Sequence, residues 1–416
     1  MIKTSVKKLK NGLTVVCVED KSKNMSEAEL LVKYGSEIKN IKIDGHIYEI
    51  RNGLAHLLEH SLIEGSSYGN VLSFFRRDYV YVNGFTSRKY TYYPIETVKD
   101  FKKYLEILIR FVNIASFTDE DLKNIKGPVI DEIIRGKDRS YRKLAEKVNE
   151  LVCDKTKYIN NLGEKEDIDN ITVEDLKLVH DVFYQPQNEI LSLSGNFDTD
   201  EIIKYIEDIY DKINFEKHDV EVLDMSDTLE LAEKNVLIND EQYSPLAEIL
   251  YKIDISKFTN EELLKIDYYL SFLLNSCFSD NSNTYKKIVD NNYSSFSINF
   301  SRNRINRNVL MLEVSILTKN YEEVWSIFDD ALNIKILDKD YFYLWKRREL
   351  IDRIEPLKKA SFLRSDLVGN ILRFDIDKFD TLEFIDNLNY EECIELLSRL
   401  SFDNKTYIKQ VKNVKE

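Results

Sequence analysis

Strands and helices follow one another along this chain in blocks, and the order of the blocks is written twice. In the first half, alternating and apolar runs predict strands at about 12–19 and 28–35, a helix at 53–63, and two β-rich runs, YVYVNGFT and KYTYYPIET. Helical patterns then cover about 98–112, 118–150 and 172–184, followed by the strand EILSLSG and a helix over 199–212. The second half begins with strands at about 230–239 and 246–254, helices over 260–276 and 283–290, and strands at 293–301 and 308–317. Helices over 320–334, 338–353, 358–372 and 389–400 precede a last strand near 405–411. Alternation in blocks predicts an α+β fold, with helices packed on an antiparallel or mixed sheet.

At 416 residues the chain exceeds what one hydrophobic core serves, so two or more domains are expected. Only Gly369 among the 12 glycines lies beyond Gly195, which gives the two halves different turn chemistry. Between them the polar, acidic stretch Asn214–Asn235 has no strong helical period and reads as a join. We therefore expect domains at 1–215 and 216–416.

The chemistry concentrates in His56-Leu57-Leu58-Glu59-His60. On a helix, positions i and i+4 share a face roughly 6 Å apart, so two imidazoles converge on one ion while Glu59 sits beside its open side. This is the HxxEH pattern of the inverted zincins. Such a pattern also arises by chance on an amphipathic helix whose Leu54, Leu57, Leu58 and Leu62 face a core, so a third ligand must decide. Glu132 is the candidate, following an apolar run in DLKNIKGPVIDEIIRGKD on a predicted helix.

Four segments in order extend the motif: GLAHLLEHSLIEGS, VNGFTSRKYTYYPI, KGPVIDEI and YQPQNEILSLSGNFD. Together they resemble the pitrilysin, insulin-degrading-enzyme and mitochondrial-processing-peptidase family of inverted zincins. The likeness is strong over residues 1–215 and rests on element order beyond. It implies a tandem pair of homologous domains, each a mostly antiparallel sheet packed with helices, forming half of a clamshell. It also implies one Zn2+ per chain held by His56, His60 and Glu132, with Glu59 as general base in a zinc-dependent endopeptidase acting on short or unfolded peptides.

Because two such pairs close around a substrate, the resemblance implies a homodimer or a heterodimer with a related chain. Asn83, Gly84, Phe85 and Thr86 would form the edge strand that pairs with substrate, Gly84 standing where alanine is usual. In the second domain, NTYKKIVDNNYSSF offers Lys286 and Tyr293 as substrate contacts, with lysine in the place of an arginine. A second glutamate usual seven positions before the metal-binding one is here Ile125, which would weaken zinc affinity or shift the task of orienting a histidine to Glu120, Asp121 or Asp131. Ile125 and Lys286 motivate an alternative, a noncatalytic or partner-dependent subunit that completes a related chain's clamshell.

The charge balance argues against other classes. Lys and Arg number 59 against 73 Asp and Glu, and a net charge of -14 opposes binding to phosphate backbones or anionic lipid. No run of about 18 apolar residues predicts a membrane span, and the N-terminus lacks the apolar stretch of a signal peptide. Cys17, Cys153, Cys277 and Cys393 lie far apart with no metal spacing, which predicts reduced thiols and a cytoplasmic location.

Overall fold

The computed structural model describes residues 2–65, 70–137, 162–223, 229, 233–240, 244–332, 337–376 and 380–412. They fall into two compact units. The first contains the described residues up to 137, those of 162–223, and Glu355–Leu372; the second contains 229–354 and 373–412. Cys153 and the predicted helix beyond 137 lie outside the described residues.

The chain enters as β1 (Lys3–Lys8), β2 (Thr14–Glu19) and β3 (Ser26–Val32), then turns through the hairpin β4 (Asn40–Ile43) and β5 (His46–Glu49). Helices α1 (Leu54–Glu64) and α2 (Val71–Arg77) precede the strands β6 (Tyr81–Val82), β7 (Phe85–Thr86) and β8 (Thr91–Thr97). Helices α3 (Phe101–Asn113), α4 (Asp119–Lys137), α5 (Lys165–Asn170) and α6 (Val173–Phe183) lead to β9 (Glu189–Gly195), α7 (Thr199–Tyr210) and β10 (Val220–Leu223).

These strands build a sheet of order β1-β2-β9-β3-β8-β6, with β7 also on β8. Period-2 alternation splits its side chains between two faces. Val15, Cys17, Ala28, Leu30, Tyr93 and Leu193 join the main core with the helices. Val16, Val18, Leu31 and Ile190 face the other way.

The second unit repeats this plan with β11 (Asn235–Asp240), β12 (Leu246–Asp254), α8 (Asn260–Phe278), α9 (Asn283–Asp290), β13 (Asn299–Arg304), β14 (Val309–Leu317) and α10 (Tyr321–Leu332). The chain goes on with α11 (Lys339–Leu357), α12 (Ala360–Phe374), which lies in the first unit up to Leu372, α13 (Thr381–Asn387), α14 (Tyr390–Ser398) and β15 (Lys405–Lys412). Its sheet runs β11-β15-β12-β14-β13. In each sheet the last strand inserts between two earlier ones, parallel to one and antiparallel to the other: β9 between β2 and β3, β15 between β11 and β12. The fold is thus the expected α+β pair, and the repeat extends to strand order and direction.

Two features depart from the expected division at 215/216. Residues Val220–Leu223 pair with β4, so the chain is still in the first unit past residue 216. Helix α12 also returns to the first unit, where Ala360, Leu367 and Val368 cover Val16, Val18, Leu31 and Ile190. A one-dimensional reading assigns a helix to the domain around it in sequence, whereas the uncovered apolar face of a sheet decides where it packs. The small sheet β10-β4-β5 is a further addition. Its sequence signal is Asp44-Gly45, both at positive φ, between NIKI and HIYE.

Candidate functional site

The site is built on α1, which is buried on almost every side: Leu54, Ala55, His56, Leu57, Leu58, Glu59, Ser61, Leu62 and Ile63 are all buried. Gly53 starts it in the left-handed conformation at φ 73. A Cβ there would stand 2.6 Å from the Leu162 carbonyl oxygen and 2.7 Å from Ile168 Cδ1, so both backbone and space require glycine. Helix α4 packs against α1 through Leu122, Ile125, Val129 and Ile133, a 3.6-period face. Pro128 lies inside α4 one turn before Glu132, and Lys126 ties the helix to the carbonyls of Asp169 (2.8 Å) and Ile171 (2.7 Å).

Two helical faces then converge. Glu132 Oε2 lies 3.7 Å from His56 Nε2 and 3.6 Å from His60 Nε2. All three donor atoms are within 4.8 Å of one another, the only such set among the described residues. Ligand bonds of about 2.1 Å in a tetrahedral zinc site separate ligand atoms by roughly 3.4 Å, so this nitrogen, nitrogen, oxygen set fits the ion. The two rings stand perpendicular, with centroids 4.7 Å apart.

Each group is perturbed by its surroundings. Burial, aided by the neighbouring His60, lowers His56 to about 4, which keeps this imidazole neutral. Burial also lowers His60, but the carboxylates of Glu132 (3.6 Å) and Glu64 (3.0 Å) outweigh it and raise the group to about 10. Glu132 is held below the usual carboxylate range by the adjoining His60, 3.6 Å away. Burial raises Glu59 above that range, against the charge of His60 and a hydrogen bond from Thr86.

Glu59 is packed between the metal corner and the sheet edge. Thr86 Oγ1 donates to Glu59 Oε2 at 2.8 Å. A Cβ on Gly84 would come within 2.6 Å of Glu59 Oε1 and 2.5 Å of Ile63 Cδ1, so glycine here makes room for the carboxylate. Strands β6 and β7 both pair with β8 and form the outer edge of the sheet. Between them the Asn83 backbone amide donates to Pro94 (3.2 Å), and Asn83 Oδ1 accepts from the Gly84 amide (3.0 Å). Phe85 is exposed and stacks on Tyr92 with centroids 5.0 Å apart.

Seven of the residues singled out from the sequence therefore gather here: His56, Glu59, His60, Glu132, Gly84, Thr86 and, one step along the edge, Asn83. Lys286 and Tyr293 belong to the second unit. There Lys286 is exposed on α9, and the Tyr293 carbonyl accepts from Thr318 Oγ1 at 2.7 Å. Glu120 and Asp131 are exposed, and Asp121 accepts from Thr118 (2.5 Å). The carboxylate on His60 Nδ1 is instead Glu64, at 3.0 Å. Its i+4 spacing from His60 was the signal.

Fold and site together define a two-domain α+β protein in which two histidines and a glutamate converge beside a sheet edge. The family model described as insulinase (peptidase family M16) matches residues 14–165, and that described as peptidase M16 inactive domain matches residues 170–335. The chain belongs to peptidase family M16, the pitrilysin family. It is 26% identical to the uncharacterized zinc protease YmfH of Bacillus subtilis over 301 residues, 71% of this chain and 70% of that protein. With the zinc protease YmxG of the same organism it shares 27% identity over 166 residues, 38% of this chain and 39% of that one. An M16-like peptidase of Alicyclobacillus acidocaldarius has the same fold, with a TM-score of 0.86 at 22% identity over 99% of this chain and 98% of that chain. The periplasmic protease PqqL of Escherichia coli matches with a TM-score of 0.77 at 16% identity, over 99% of this chain and 48% of its own.

Proposed function

We propose that the chain is a zinc-dependent endopeptidase for short or unfolded peptides, with one Zn2+ per chain held by His56, His60 and Glu132. The observation that carries the reading is the meeting of those three donors beside the buried carboxylate of Glu59. Zinc bound there supplies a Lewis acid and lowers the pKa of its water toward neutrality. Glu59, its proton affinity raised by burial, takes the proton of the attacking water and returns it to the leaving amine. Thr86 holds one carboxylate oxygen, Oε2, while Oε1 packs over Gly84. Asn83, Gly84, Phe85 and Thr86 supply the sheet edge to which an extended peptide adds as a strand. Main-chain pairing of this kind accepts many sequences. In the second unit, Lys286 and Tyr293 are proposed substrate contacts on the resemblance alone.

The test is digestion of a mixed peptide library by wild type and Glu59→Gln, with metal analysis of both. Cleavage that stops with chelator and with Glu59→Gln, at one zinc per chain in both proteins, is the expected result. A chain that takes up no zinc, or cleavage that survives Glu59→Gln, refutes the proposal.

A second reading concerns partners. The chain corresponds to 48% of PqqL and 45% of pitrilysin, whose remaining halves have no counterpart in the 416 residues. We propose that a second pair of domains comes from another copy or from a related M16 chain, and that cleavage can depend on it. Activity that appears only on mixing with a related chain supports the partner-dependent subunit. Among the described residues no helix is long and apolar enough to cross a membrane. Buried free thiols at Cys17, Cys277 and Cys393 support a cytoplasmic location, although PqqL is a periplasmic protein.

A further inference from the structure

The two imidazoles of the metal corner differ on the side away from the metal. His56 Nδ1 is buried and has no hydrogen-bond partner among the described residues. His60 Nδ1 lies 3.0 Å from Glu64 Oε1, while its Nε2 faces Glu132. Glu64 closes the last turn of α1, and its side chain is 29% exposed, so the contact is partly withdrawn from water. Across the helix pair, the position at which the resemblance implies a carboxylate is the buried Ile125. Its Cδ1 lies where a Cβ on Gly65 would come within 2.7 Å, packed against the same end of α1. Ile125 and Glu132 are seven residues apart on one face of α4; Asp121 Cβ also lies 3.4 Å from that Gly65 Cβ position, with its carboxylate on Thr118.

A histidine that binds a metal through one ring nitrogen usually donates its other N–H to an acceptor. That bond fixes the tautomer and the ring plane, and it raises the basicity of the ligating nitrogen. We propose that Glu64 is this acceptor for His60, a positioning residue supplied by the metal-binding helix itself in place of one from α4. It holds the proton of neutral His60 on Nδ1 and so presents the Nε2 lone pair to the metal. Among the described residues His56 has no such partner, so the two imidazoles are held unequally. The inference rests on the proposed metal site.

The experiment uses the full chain and Zn2+ alone, competed against a chromophoric chelator, with the melting temperature of each metal-free protein recorded alongside. Glu64→Gln removes the charge and Glu64→Leu removes the acceptor. Affinity is expected to fall about tenfold in the first and up to about a hundredfold in the second, while the metal-free melting temperatures stay together. Affinities within threefold of wild type in both variants overturn the proposal and leave the metal site standing. A wild type that binds no zinc removes the metal site itself. Should a variant fail to fold, nitrogen-15 spectra of zinc-loaded wild type decide: a protonated Nδ1 on His60 supports the proposal, and a protonated Nε2 overturns it.

Discussion

Glu59 shows how much of this site depends on single atoms. Its carboxylate fills space that exists only because position 84 has no side chain, and a methyl group there would overlap Glu59 Oε1. Gly84→Ala is therefore expected to displace Glu59 while leaving the three ligands in place. A shift of about 1 Å in such a group costs on the order of a hundredfold in rate. The measurement is kcat/KM with zinc content, and loss of zinc in step with activity would argue against this account. Glu132→Gln carries the opposite expectation, because it removes the charged ligand: zinc is lost, and cleavage falls with it. Glu59→Gln and Glu132→Gln should be equally inactive but separable by metal analysis.

At the scale of elements, α1 is the helix on which everything else is hung, and its start is its weak point. Gly53 combines a φ of 73 with a backbone carbonyl 2.6 Å from any Cβ. Gly53→Ala should cost about 1–3 kcal/mol in urea unfolding. A cost under about 0.5 kcal/mol would show that the Leu162 segment yields freely. The sheet offers a second test, through Glu189 at the first position of β9. Full burial raises its carboxyl to about 7, against hydrogen bonds from Tyr210 and Asn113. The folded state thus holds this proton more tightly than the unfolded chain does. The stability it brings is complete below about pH 4.5 and is lost as pH rises toward 7, on the order of 3 kcal/mol. Glu189→Gln cannot ionise, so its urea midpoint should fall less than that of wild type between pH 4.5 and pH 7.5. Equal slopes in the two proteins would dismiss the burial argument.

For the whole molecule, the informative fact is that α12, deep in the second half of the sequence, packs with the first unit. Without it, Val16, Val18, Leu31 and Ile190 lose their cover. A fragment of residues 1–225 is expected to bind hydrophobic dyes and to aggregate on warming. A synthetic peptide of residues 355–374 should raise its melting temperature in a dose-dependent way. A fragment that is dye-free and indifferent to the peptide would show that this cover adds little stability.

Much of this protein was legible along the chain because the physics involved is local. The i and i+4 spacing of His56 and His60 needs only helix geometry. The strands and helices of both halves follow their periods, so the α+β class and its repetition could be read in order. Longer-range relations could not. Glu132 reaches the histidines because the face Leu122, Ile125, Val129 and Ile133 packs on α1, and packing depends on the shapes of two surfaces rather than on either sequence period. Gly84 admits Glu59, and α12 covers a sheet face formed by strands far upstream, through contacts between residues 25 or more positions apart. Chemistry was encoded by residue type and spacing. Which carboxylate meets which imidazole, and which unit a helix joins, was decided only when distant segments had to fill the same volume.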